Sequence, residues 1–391
     1  RVLLLEKHKR FGGRIHEWTD RATSFPAGAA RFNDHHVRVK ALMRSFGIDL
    51  PPAVPARMRF YDACSEYPDA RRPEHGFYYV QQVVRHAKQH GNPDQLRQLS
   101  FQAYARTVLS PEAVRFMLVA CGYSGQLRYM NAYDAVRLFS TGIRPDLAYY
   151  SNRYQVLVDR LVATLTLSSS ATIKTRVFVR QLQQTEQGYK VHAEQTYQAR
   201  QVILALPQDA LLNLHGIPAS LRPVLRTSIA TKALCRTYAV YRPDDVWFHQ
   251  LKYKVVTNND LRQVIPVSVK QGVIMISYTD DKYTEPWRKL QKDQVGLKKK
   301  IQALIYCTFG IRTRPPVRVY VCYWPRGVAY WKPGVNSDLV AARVLRPAPN
   351  LYICGENYSL NQSWVEGALH TADQTLAFVA KQGKKKRVST K

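Results

Sequence analysis

No other stretch narrows the possible folds of this chain as far as Leu351 to Leu369. Leu351-Tyr352-Ile353 is a continuous apolar run, the pattern of a strand buried on both faces of a parallel sheet. It runs into Gly355, where the lack of a Cβ lets the backbone turn, and Glu356 stands at that turn. Helical spacing resumes at Trp364-Val365-Glu366-Gly367-Ala368 and lasts to about Lys381, with Glu366 in the first turn, where the helix dipole favours an acid.

Upstream, Val2-Leu3-Leu4-Leu5 is a second buried-strand run that ends in Glu6 and is followed by Phe11-Gly12-Gly13-Arg14. Residues 35–47 have helical spacing, with Val39, Leu42, Met43 and Phe46 on one side and Gly47 as a stop. From about 77 to 145 the periodicity is helical, with segments near 78–90, 94–108 and 111–121. Ser110-Pro111-Glu112 marks one start, with Ser as N-cap and Pro at the first helical position. A further helix is expected over 153–166, then alternating strands over 172–183 and 189–196 around Glu186-Gln187-Gly188, a hairpin signal. Val202 to Pro207 is again a buried-strand run. Residues 229–241, 252–256, 263–268 and 272–278 predict a second sheet, and 287–306 a basic amphipathic helix. With no internal repeat and no long linker, this order predicts a mixed α/β chain of two interleaved domains, within the two or three that 391 residues suggest.

Charge limits the partners. Lys+Arg 58 against Asp+Glu 28 gives +30, a field that attracts polyanions and repels polycationic substrates such as polyamines. The densest run is Lys384-Lys385-Lys386-Arg387, read either as a solvated tail or as a polyanion-binding one. The six cysteines are scattered without a C-x-x-C pair, which favours an intracellular, reducing compartment and indicates no metal site. No apolar run approaches the ~18 residues of a membrane span.

In this order the pieces resemble the flavin-dependent amine oxidases, the family of monoamine, polyamine and L-amino-acid oxidases. Gly355-Glu356 followed by Trp364-Val365-Glu366-Gly367-Ala368 carries the resemblance most specifically, matching the family's G-E…W-x-E-G-A-x motif. The resemblance implies a discontinuous, Rossmann-like FAD-binding domain over 1–60, 153–225 and 340–381. A substrate domain of mixed sheet plus helices over 61–152 and 226–339 is interleaved with it, and 382–391 forms a basic tail. It also implies roles. Glu6 would bind the adenosine ribose, Gly12 and Gly13 would let the backbone approach the pyrophosphate, and Arg14 would add charge there. Gly28, Ala29 and Ala30 would lie against the flavin ring. Arg31 would pair with a substrate carboxylate, as in the L-amino-acid oxidase branch, or else with flavin phosphates or a surface acid. Val177 would meet the adenine through backbone hydrogen bonds. Lys232 would be the flavin-facing lysine that holds a water at N5 and assists reoxidation, the open alternative being a solvent-facing lysine.

At the C-terminal end, Glu356 would accept from a ribityl hydroxyl, and Trp364 would wall the substrate space. Val365 and Ala368 open the helix aimed at the flavin N1/C2=O edge. Tyr330 or Trp331 would face Trp364 and hold the amine between two rings, and no Cys follows Gly327 at the attachment position, so noncovalent FAD is implied. Three departures temper the reading. The G-x-G-x-x-G turn that precedes the Glu-ending strand in the family is not in the sequence, so either about 30 residues lie upstream or this is a degenerate copy with weak FAD affinity. The loop before residue 153 reads Tyr150-Ser151-Asn152-Arg153 where the family is glycine-rich, and +30 does not suit cationic amines. Two functions are expected from this: an FAD-dependent oxidase of an amine or L-amino acid that yields H2O2, or an oxidase fold turned to a structural or polyanion-binding role on nucleic acid or an acidic protein surface, for instance in a virion.

Overall fold

Capping side chains set the helical middle of the chain. Ser110 accepts from the Ala113 amide (3.2 Å) and starts Pro111–Ala120. The run expected as one helix over 94–108 is two, Pro93–Gln98 and Phe101–Val108. Ser100 caps the second by accepting from Ala103 (3.1 Å), while the Leu99 carbonyl leaves the helical ladder to accept from Ala132 (2.8 Å). Likewise 287–306 divides into Glu285–Lys289 and Gln294–Phe309, the latter capped by Asp293 on the Gly296 amide (2.9 Å). The computed structural model describes residues 1–20, 23–68, 72–144, 146–151 and 154–388, with side chains as far as 381. Asn152 and Arg153 of the expected cofactor loop therefore lie outside the described residues, as does the end of the basic tail. The terminal helix is longer than expected, Val365–Val388, so the backbone of the basic run at 384–387 is helical.

Two parallel pairs carry the apolar strand runs, but of these only Leu351–Ile353 is buried throughout, whereas Val2, Leu3 and Ile203 are exposed. Val2–Leu5 pairs in register with Ala171–Lys174, and Val202–Leu204 with Leu351–Ile353. The strand expected over 172–183 breaks after Lys174, where Arg176 takes a left-handed φ of 59°; Gln181–Thr185 then opens a three-stranded antiparallel meander with Gly188–His192 and Thr196–Ala199. The third strand of that meander escaped the sequence reading. A six-stranded sheet follows the order Arg318–Trp331, Ile229–Val240, Val273–Asp280, Gln263–Ser268, Lys254–Thr257, Met58–Tyr61. The fold is mixed α/β, as the sequence predicts.

Alternation along these strands sorts residues onto two faces. Cys235, Ala239, Val255, Ile274 and Ile276 pack with Trp287, Leu297, Ile301 and Ile305 of the flanking helices. On the other face Tyr238, Val273 and Met275 pack with Phe25. That second face forms one wall of the site. Among the described residues, no helix is long and apolar enough to cross a membrane.

Candidate active site

The segment around Pro26 is strapped across the wall. Its carbonyl accepts from Arg236 Nη1 (3.2 Å) and from the Tyr238 hydroxyl (2.7 Å), and the Ala27 carbonyl accepts from Trp324 Nε1 (2.7 Å). Phe25 stacks on Tyr238 with ring centres 4.0 Å apart. Next to it the Gly28 and Ala29 amides donate to the carbonyls of His16 and Arg14 (3.0 Å each). A Cβ on Gly28 would lie 2.0 Å from the Arg14 carbonyl oxygen, so only glycine allows this approach. The strap thus brings Ala29, Ala30 and Arg31, all partly accessible, beside the loop of Gly12 and Gly13, both of which have positive φ.

Arg31 donates to the Tyr123 hydroxyl (2.9 Å), and its guanidinium stands 4.6 Å from the centre of the Tyr149 ring. Tyr149 also stacks with Trp364 (6.2 Å, 15°), so Arg31 and Trp364 share one aromatic neighbour. Trp364 meets His36 edge-on at 4.5 Å, and its indole nitrogen is buried without a hydrogen-bond partner. Strand alternation sends the two expected cage rings to different sides. Tyr330 belongs to the core against which Trp364 packs, whereas Trp331 turns to a different core and donates to the Ser359 carbonyl (3.1 Å). Burial pushes the Tyr330 hydroxyl up to about 12, so it stays neutral across the physiological range.

Several of the expected site residues have protein partners. Lys232 is not a free amine: its ammonium pairs with Asp281 (2.8 Å), 4.3 Å from the centre of the Tyr129 ring, and Tyr129 in turn stacks with Tyr330 (6.2 Å). Arg14 pairs with Glu356 (2.8 Å), whose carboxylate also takes Asn357 Nδ2 (2.9 Å) and the Ser363 amide. Glu356 is 6 % exposed and its carboxylate accepts these three donors. The Val177 amide donates to the Glu6 carbonyl (2.9 Å). Glu366 acts as an acid at helix ends, but at two of them. Besides opening its own helix, it accepts from the Arg38 and Val39 amides (3.0 Å each) at the start of Val37–Ser45.

Whether these residues fit a flavin is testable on the side chains themselves. Glu6 stands at the carboxyl end of a parallel strand, and its carboxylate takes only the His8 amide (2.8 Å) among the described donors. A carboxylate has room for further donors such as a ribose diol. Buried polar atoms without partners cluster by the terminal helix: Trp364 Nε1, Gln362 Oε1 and Gln126 Oε1, the last from a side chain that also donates to Ser363 Oγ (3.0 Å). Gly355 (φ 143°) turns the strand, Val365 opens the helix, and Ala368 lies within it, partly accessible. Glycines, small residues, orphaned polar atoms and a helix N-terminus suit a polar, flat cofactor.

Spacing along the chain did not reveal Arg236, Lys254, Tyr123, Tyr278, Asp281 or His36. His36 carries a consequence. Burial, with His35 nearby, lowers its imidazole to about 4. The unfolded chain takes up this proton below the ordinary 6.5, and the folded protein resists it, so stability is present above pH 6.5 and is lost as pH falls toward 4. By pH 5 the loss is expected to be about 2 kcal/mol, at 1.36 kcal/mol per unit. Urea unfolding at pH 7 and pH 5 checks this. His36→Phe should flatten the difference, and an unchanged slope would show that other groups drive it.

A family model described as flavin containing amine oxidoreductase matches residues 1–375. The structure of cyclohexylamine oxidase from Brevibacterium oxydans IH-35A is similar with a TM-score of 0.77 at 15% identity, covering 98% of this chain and 94% of that one. Putrescine oxidase with bound putrescine is similar with a TM-score of 0.73 at 15% identity, over 96% and 93%. An uncharacterized protein of Acanthamoeba polyphaga mimivirus is 24% identical over 257 residues, 59% of this chain and 48% of its own length, so the match spans about half of that curated relative.

Proposed function

We propose that this chain, which belongs to the flavin-containing amine oxidoreductase family, oxidises an amine or L-amino acid with noncovalently bound FAD and oxygen. The observation that carries this reading is the sharing of Tyr149 by Arg31 and Trp364, which sets a guanidinium without a carboxylate partner among the described residues beside the aromatic residue at the terminal helix. Bound FAD would supply hydride acceptance from the carbon bearing the amine and passage of the electrons to O2, giving H2O2. Glu6 would hold the ribose, the Gly28–Ala29–Ala30 backbone would lie along the ring, and the N-terminus of the helix at Val365 would face developing negative charge. Trp364 and the neutral Tyr330 would position the amine, and Arg31 would clamp a carboxylate in two-pronged fashion. Lys232, held by Asp281, would order the polar network beside Tyr330.

The purified chain is expected to be yellow, with flavin absorbance, and to release peroxide from an amine or amino acid in a peroxidase-coupled assay. The net charge of +30 favours a second reading, polyanion binding. A colourless, inert protein whose DNA binding falls steeply with salt would decide for that reading over the first.

A further inference from the structure

Three cations gather on the sheet face that walls the site, and none forms an ion pair among the described residues. Arg236 and Lys254 are 7% and 8% exposed, and Arg31 is partly accessible. Strand alternation puts Lys254 and Arg236 on the face away from the Gln294–Phe309 helix, since Val255 and Cys235 take the helix side. Their neighbours are phenol rings. The Lys254 ammonium stands 5.1 Å from the centre of Tyr123, whose hydroxyl accepts from Arg31, and Arg236 stands 4.9 Å from the centre of Tyr278, which meets Tyr123 edge-on at 5.9 Å. Lys254 Nζ and Arg236 Nε are buried with no hydrogen-bond partner.

The nearby acids are committed elsewhere: Asp280 accepts from the Ser124 and Gly125 amides, and Asp281 from Lys232 and Tyr129. Phenol faces attract cations but do not neutralise them, and an unpartnered buried ammonium costs several kcal/mol. Burial and the facing Arg31 guanidinium accordingly push Lys254 well below the ordinary lysine value, and the buried Cys121 thiol, raised by burial, stays neutral beside it. An arriving anion would stabilise the Lys254 ammonium.

We infer that this site takes an amine bearing two anionic groups, such as an acidic L-amino acid, with Arg31, Arg236 and Lys254 as counterions. The two guanidiniums stay charged at any physiological pH, so a monoanion leaves one of them uncompensated. A dication such as putrescine, the ligand in the similar oxidase structure, would be repelled by the two guanidiniums here. The amine end of this inference rests on the oxidase reading, whereas recognition of the dianion does not.

The test is calorimetric titration of the purified full chain at fixed ionic strength with glutarate, which is not oxidisable here, and with butyrate. Glutarate is expected to bind at least about tenfold more tightly, and Lys254→Met to weaken glutarate about tenfold while changing butyrate less than about threefold. Lys254→Gln, checked by circular dichroism, keeps the comparison open if the methionine variant misfolds. Equal affinity for the two acids, or no binding of either, overturns the inference. Peroxide from hexylamine without a glutarate preference overturns it and leaves the oxidase reading standing. Tight glutarate binding by a colourless protein that makes no peroxide does the reverse.

Discussion

Replacing Arg31 with methionine is expected to raise the KM for an L-amino acid by about 10²–10³, or roughly 3–4 kcal/mol, and to leave kcat/KM for hexylamine within about threefold. The asymmetry follows from what Arg31 touches. Its partners are the Tyr123 hydroxyl at 2.9 Å and the Tyr149 ring at 4.6 Å, with no carboxylate among the described residues. Burial lowers its affinity for its proton, but the phenols of Tyr123, Tyr149 and Tyr278 outweigh that, so it stays charged and ready for an anion. A substrate carboxylate would complete its hydrogen bonding in a low-dielectric site, where charge-assisted, two-pronged pairs are strongest. Methionine keeps much of the stem volume and removes only the fork. Steady-state kinetics on both substrates decide the matter: an equal loss on each would mean that Arg31 holds the strap in place and does not bind substrate.

Glu366→Ala is expected to destabilise the fold by roughly 2–4 kcal/mol, the range for leaving two helix-start amides without their acceptor. His36 occupies the N-cap of Val37–Ser45 but makes no side-chain capping bond, so the helix depends on an acid from elsewhere. Glu366, 3% exposed, supplies it through the Arg38 and Val39 amides and a pair with Arg38 Nη1 (3.2 Å). Removing the carboxylate orphans two amides and opens a space between two helices. Glu366→Gln retains one acceptor oxygen and should cost about 1–2 kcal/mol, a typical capping increment. Denaturant midpoints of the three proteins test the order; a glutamine variant as weak as the alanine one would place the effect in charge and not in capping.

The two variants mark different degrees of legibility. Arg31 follows Gly28, Ala29 and Ala30 in a segment whose small residues stand out, so it could be proposed from the chain alone. Glu366 was readable as a first-turn acid, yet its second helix lies more than three hundred residues earlier in the chain. Lys254 had no signal at all, because an isolated lysine on a strand is by default solvent-facing. Lys232 is expected from the chain as a flavin-facing or a solvent-facing lysine, and its pairing with Asp281 is a contact that no local pattern announces.

Local chemistry along the chain settled what local forces control. Apolar runs such as Val2 to Leu5 and Leu351 to Ile353 specify parallel strands, Ser110 specifies a helix start, and Gly355 a turn, because each depends on a few adjacent residues. Burial does not follow from the run alone, since Val2 and Leu3 are exposed while Leu351 to Ile353 are buried. Where a second contact competes, as at Leu99 and after Lys174, an element predicted whole breaks in two, since a distant backbone partner takes the hydrogen bond that would have continued it. Alternation says which face a residue occupies, but not what meets it there. That Arg236, Lys254 and Arg31 converge on Tyr123 and Tyr278, with every nearby acid already paired, is a property of the assembled sheet and strap. It arises from contacts among residues scattered from 31 to 278, and charge placed by such contacts leaves no periodic trace in the chain.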